Sequence, residues 1–172
     1  PIGNQLVRLV PLVGDQFEVQ LTWNADSELD LDVHVTGPLA AGTQQRYHVY
    51  WDSPGSAKDA PFAALFMQDE VASGGPQFEL ARITKVTGVS AGSPIRVSVH
   101  DFSNAQATFG NALAQSGAKI TLRRLQGIEI ATFDVPAQPG TLWTALEIRS
   151  INPLTVVPIG TMSFVSNPAA IP

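Results

Sequence analysis

The chain has no cysteine among its 172 residues, which removes disulfides, thiolate metal sites and a cysteine nucleophile at once. Charge is scarce as well. Asp, Glu, Lys and Arg make up 15% of the sequence, against roughly 25% in a typical soluble domain, so much of the surface must be Ser, Thr, Gln, Asn, Ala and Gly. Lysine occurs only at Lys58, Lys85 and Lys119, and the largest basic cluster is the pair Arg123-Arg124. With a net charge of −5 there is no electrostatic footprint for nucleic acid. No apolar run reaches the roughly 18 residues of a membrane-spanning helix, no signal peptide is visible ahead of Pro1, and no Asn-x-Ser/Thr acceptor occurs. The lack of cysteine fits an exported bacterial or archaeal protein and is equally compatible with the cytosol, while a start at Pro1 suggests a mature or trimmed product; secretion or a place on the cell surface is the expectation.

Alternation is what the chain does have. In Leu29-Asp-Leu-Asp-Val-His-Val-Thr-Gly-Pro38 charge and aliphatic side chains exchange places residue by residue. An extended strand sends successive side chains to opposite faces, so Leu31, Val33 and Val35 share one face and Asp30, Asp32 and His34 the other. Packing explains the first set and not the second. The same period of two runs through 17–23, where Phe17, Val19, Leu21 and Trp23 share a face, and through 46–51, where Tyr47, Val49 and Trp51 oppose His48 and Tyr50. Further strands are expected at 62–67, 77–86, 95–101, 119–125, 129–135, 143–149 and 156–165. Breaks fall at Gly37-Pro38, Ser53-Pro-Gly55, Gly74-Gly-Pro76, Gly92-Ser-Pro94, Gly127 and Pro139-Gly140. Residues 104–114 contain Gly110 and lack caps, so they read as a loop or one weak helical turn. Short strands at this spacing imply an all-β, mostly antiparallel sandwich of immunoglobulin-like or jelly-roll-like type, in one domain over 1–172.

The two ends are apolar. Residues 5–13 carry aliphatic side chains on both faces, and 150–172 hold no charged side chain at all. Either segments 1–14 and 150–172 close the sandwich of their own chain, or they dock on a neighbouring subunit by adding a strand to its sheet edge. Leu6, Leu9, Val10, Val156, Ile159 and Phe164 are the candidate residues for such self-association.

Taken in order, these motifs resemble the YfaP-like family of bacterial domains of uncharacterised function. The carriers are Leu21-Thr-Trp23, the 29–38 stretch, Tyr47-His-Val-Tyr-Trp51, Asp69 followed by Gly75-Pro76, Val97-Ser-Val-His-Asp-Phe-Ser103, Ser116-Gly-Ala-Lys119, and Phe133-Asp-Val-Pro136 with Gly140-Thr-Leu-Trp143. They span about 21–158. The resemblance implies a secreted or surface sandwich and no reaction. Around Asp69 and Glu79 the chain departs from the family's pattern, and the apolar ends lie outside it.

The three histidines, His34, His48 and His100, all fall in expected strands. With Asp30, Asp32 and Asp101 they form a candidate metal set: imidazole with carboxylate suits zinc or a similar ion, carboxylate with carbonyl suits calcium. The alternative is a structural hydrogen-bond network in which aspartates cap turns and histidines pair with carbonyls. No Gly-x-Ser-x-Gly elbow, His-Glu-x-x-His pair or phosphate-binding glycine loop occurs, so no enzyme is expected. Tyr50, on the face opposite Tyr47 and Trp51, is the candidate stacking residue for a glycan or surface-protein ligand, while Trp23 and Trp143 belong to the core. The leading expectation is a structural protein whose partners are copies of itself. The second is a ligand-binding module with a divalent cation.

Overall fold

The structure is a computed structural model that describes residues 16–24, 28–67 and 77–172. It is an all-β sandwich of two sheets in which every strand pairing is antiparallel. One sheet has six strands in the order β4 (Gly55–Ser56), β5 (Ala63–Met67), β6 (Gln77–Ile83), β1 (Phe17–Trp23), β8 (Lys119–Arg124) and β9 (Glu129–Asp134). The other has five, in the order β11 (Leu154–Ser163), β10 (Leu142–Ile151), β7 (Ile95–Asp101), β2 (Leu31–Pro38) and β3 (Arg46–Val49).

The alternation dictates the packing. Phe17, Val19, Leu21 and Trp23 are buried at alternate positions of β1. They meet Leu31, Val33 and Val35 of β2, Ile95, Val97 and Val99 of β7, and Trp143, Leu146 and Ile148 of β10 in one core between the sheets. Ten of the eleven strands coincide with expected ones to within a few residues. The exception is β4, two residues long, too short to show periodicity. Between β7 and β8 the chain makes a 3-10 turn, Phe102–Asn104, and one helical turn, α1 (Ala112–Gln115), whose Leu113 is fully buried.

Two expectations are corrected here. The strand read over 46–51 ends at Val49, because Tyr50 and Ser53 exchange backbone hydrogen bonds of 3.1 and 2.9 Å across a two-residue turn. Trp51 therefore sits at the tip of that turn, 41% exposed, instead of on the core face. Tyr50 is not an exposed platform: it is buried, stacked against the rings of His34 and His48 at centroid separations of 5.2 and 4.4 Å.

The C-terminal stretch packs on its own chain. Strand β11 pairs along β10, where Leu154, Val156 and Met162 lie against the core. Beyond it, residues 164–172 are fastened to the five-stranded sheet. Val165 N–H donates to Thr141 Oγ at 2.9 Å, and Thr36 Oγ donates to the Pro172 carbonyl at 2.9 Å. Ile171 is buried. Ile159 is half-buried and Phe164 is 39% exposed, whereas Leu6, Leu9 and Val10 lie outside the described residues.

Candidate metal centre

Every residue of β2 is buried, on both faces. Leu31, Val33 and Val35 face the core. Asp32, His34 and Thr36 face the other way and are nevertheless 4%, 1% and 3% exposed. Pairing sets what lies beside them: Asp32 is opposite His100 of β7, and Thr36 is opposite His48 of β3.

Three ligand atoms converge on this outer face. A ring nitrogen of His34, a ring nitrogen of His100 and a carboxylate oxygen of Asp32 all lie within 4.8 Å of one another. By plane geometry, three such points share a centre no more than about 2.8 Å from each. Zinc bonds to nitrogen and carboxylate oxygen at about 2.0–2.2 Å, so each donor need shift by less than an ångström to close on an ion.

Proton bookkeeping identifies the nitrogens. His100 Nε2 lies 2.8 Å from the Val165 carbonyl. A carbonyl only accepts, so Nε2 carries the proton and Nδ1 carries the lone pair. His34 Nδ1 lies 2.8 Å from His48 Nε2. If His34 donates there, its Nε2 is the lone pair and His48 is protonated at Nδ1. His48 in turn makes a backbone hydrogen bond to Ala169 in the sense that favours a ring N–H. The atoms left over are His34 Nε2 and His100 Nδ1, both buried and both without a hydrogen-bond partner. Buried polar atoms are rarely left so, and a buried imidazole lone pair is what a metal ion takes. Histidine ligands characteristically donate their other nitrogen to a carbonyl or similar group, as His100 does.

Electrostatics agree with neutral rings. Burial holds His34 well below the usual imidazole value, and the neighbouring His48 and His100 push it further down. Burial also lowers His100, against the Val165 carbonyl and Asp101, and lowers His48, against Ala169. Since all three folded values lie below that of the unfolded chain, the unfolded state takes up protons first on acidification. Stability is then greatest above about pH 6.5 and falls as pH drops toward the depressed values, by up to about 1.4 kcal/mol per pH unit for each buried ring. Asp101, raised by burial despite its bonds from Asn104, acts in the opposite sense only in the carboxylate range. In chelated protein the melting temperature should therefore fall between about pH 7 and pH 5, and a flat profile would refute this.

The expected ligand set divides. Asp32, His34 and His100 come together, and His48 stands behind His34. Asp101 does not join them: odd-numbered residues of β7 face the core, and its side chain caps the following 3-10 turn, accepting from Asn104 N–H at 3.1 Å and from Asn104 Nδ2 at 2.9 Å. Asp30 sits at the entrance to β2, where its N–H donates to Ser103 Oγ at 2.8 Å and its carbonyl accepts from Phe102 N–H; it is outside the converging three.

Sequence reasoning missed the tail. Val165, Ala169 and Pro172 contribute backbone carbonyls, which carry no side-chain signature. Glu79 is also placed otherwise than in a ligand group: fully buried on β6, it accepts from Val33 N–H of the opposite sheet. The ladder between β2 and β3 begins only at Val35, so Glu79 satisfies a main-chain donor lying beyond its end.

No family model matches the chain, and no curated protein matches it. A solved crystal structure, that of the protein of unknown function SAV2460, is similar in fold. It has a TM-score of 0.60 at 17% identity, and the match covers 87% of this chain and 92% of that one. At that identity the likeness speaks for the sandwich alone. No helix among the described residues is long and apolar enough to cross a membrane.

Proposed function

We propose that this chain is a non-enzymatic, exported β-sandwich module that holds one divalent transition ion at Asp32, His34 and His100. The observation that carries the reading is that a ring nitrogen of His34, a ring nitrogen of His100 and an Asp32 carboxylate oxygen converge, in two rings that each keep one buried nitrogen, His34 Nε2 and His100 Nδ1, without a partner. Two imidazoles favour zinc or a neighbouring first-row ion over calcium, which prefers an all-oxygen shell. Burial of both histidines keeps substrate from the ion and so favours a structural role, although three protein donors would leave the fourth tetrahedral position to a non-protein ligand such as water. The YfaP-like motifs support a place outside the cytoplasm.

Titration calorimetry with zinc chloride tests the reading. One ion should bind per chain, calcium should give no comparable heat, and both His34→Ala and His100→Ala should abolish binding. Zinc binding that survives both substitutions, or a folded wild-type chain that binds no zinc, would overturn it.

A second reading keeps copies of the chain as partners. Strand β11 is a ten-residue edge without a charged side chain, whereas the opposite edge of that sheet, β3, is only four residues long and carries Arg46. Charge and shortness are the usual protections of an edge. Light scattering over a concentration series separates a monomer from an assembly.

A further inference from the structure

Seven large hydrophobic side chains are exposed among the described residues, and four of them, Trp51, Phe102, Phe109 and Phe164, gather at one end of the sandwich. Phe102 presents its ring at 5.7 Å and 74° to Trp51 at the tip of the 50–53 turn. It also lines a groove of about 370 Å³ with Ser103, Gln106 and Ser166. A second hollow, about 220 Å³, is lined by Phe109, Phe164, Asn111 and Gln115. The two share Asn104 and Ala107, so they adjoin as two lobes of a depression, with Phe102 in the wall of one, Phe109 and Phe164 in the wall of the other, and Trp51 packed against Phe102 at its rim.

The chemistry of its walls is selective. They come mainly from residues 102–115 and 163–166, segments with no charged side chain. The one acidic lining residue, Asp101, is 1% exposed, and Asn104 holds both its oxygens. What remains is aromatic faces interleaved with amides and hydroxyls. The Asn111 side chain caps nothing, and Ser103 Oγ, which accepts from Asp30 N–H, keeps its own hydrogen to donate. Among the described residues that line it there is no cation for a phosphate or uronate. A purely apolar ligand would strand the amides, at a cost for each one left unpaired. A saccharide matches both features, because its axial C–H faces lie on aromatic rings and its hydroxyls pair with amide and hydroxyl groups. The larger lobe alone, about 370 Å³, falls in the range of small-molecule sites.

We infer that this depression binds a neutral oligosaccharide, with Trp51 and Phe102 stacking at one end and Phe109 and Phe164 at the other. The depression contains none of the three converging donors, although its Phe164 and Ser166 flank Val165, whose carbonyl accepts from His100.

A glycan array carrying neutral, uronic-acid and sulfated oligosaccharides, probed in the presence of chelator, tests the inference. The expected result is binding to a neutral glycan. Trp51→Ala should weaken that binding by at least about tenfold and Phe109→Ala should reduce it. Both side chains are exposed, so the melting temperature of each variant serves as the control for folding. Because Trp23 and Trp143 are buried, acrylamide quenching reports chiefly on Trp51, and the bound glycan should shield it. Binding to no neutral glycan, binding to charged glycans alone, or unchanged binding by Trp51→Ala would each overturn the inference. The first outcome combined with strong binding of a hydrophobic dye would mark the depression as a protein-docking face instead.

Discussion

Saturating zinc should raise the melting temperature of this chain by roughly 8–16 °C over the chelated protein. An ion at a thousand times its dissociation constant stabilises the folded state by about 4 kcal/mol, and in a protein of this size each kcal/mol moves the transition by roughly 2–4 °C. The effect is large because the apo site is costly. Two imidazole nitrogens are buried from bulk solvent, and neither meets a protein donor. Asp32→Asn, which nearly keeps the size of the side chain, should retain the fold while losing most of the zinc-dependent rise. A differential scanning calorimetry series with zinc, calcium and chelator checks this. An identical transition in all three conditions would leave the histidines as members of a hydrogen-bond network only.

Removing residues 164–172 should have the second-largest effect, on stability and on affinity together. Ile171 is buried, and exposing a side chain of that kind costs about 1.5–3 kcal/mol. The bonds made by Val165 and Pro172 add about 1 kcal/mol each. The sharper consequence concerns the metal. The Val165 carbonyl accepts a hydrogen bond from His100 Nε2–H, and Ala169 supports the tautomer of His48. Without them the imidazoles are free to reorient, and losses of this kind lower metal affinity by about 10–100-fold. Thr141→Val offers a milder version, since it deletes the hydroxyl that accepts from Val165 N–H while leaving the tail in place. Competition with a chromogenic chelator measures both variants. Full-length affinity in the truncated chain would remove the tail from any part in the site.

Much of this was legible before any coordinates. Period-two alternation at 17–23 and 29–36 identified core faces correctly, because a face buried against the opposing sheet must be apolar at every second residue. The unexplained face, Asp32 with His34, was equally visible as an anomaly. Illegible was whatever depended on how the chain doubles back. Nothing in Val165 or Ala169 announces that its carbonyl will meet an imidazole on a strand 65 residues earlier, at His100, or 121 residues earlier, at His48. Trp51 was given the same face as Tyr47 and Val49 because the alternation of 46–49 continues through it, although Asp52-Ser-Pro54 already contained the residues of the turn that carries it outward. The same turn brought Tyr50 under cover. Asp101 was grouped with His100 by adjacency, yet adjacent residues of a strand part company, and its fate as a cap depended on the 3-10 turn that follows.

The double burial of β2 bears on how the sheet finds its register. In most sandwich strands a slip of one residue puts aliphatic groups into water and polar ones into the core, and the penalty is mainly hydrophobic. Here the slip would thrust a carboxylate and an imidazole among Val19, Leu21 and Trp143, and would present Val33 and Val35 to a tail that offers carbonyls. Both neighbouring layers would reject it, one for charge and the other for unmet hydrogen bonds. β2 is thereby proofread from two sides, and the side chains that make the metal centre also help to align the strands that build it.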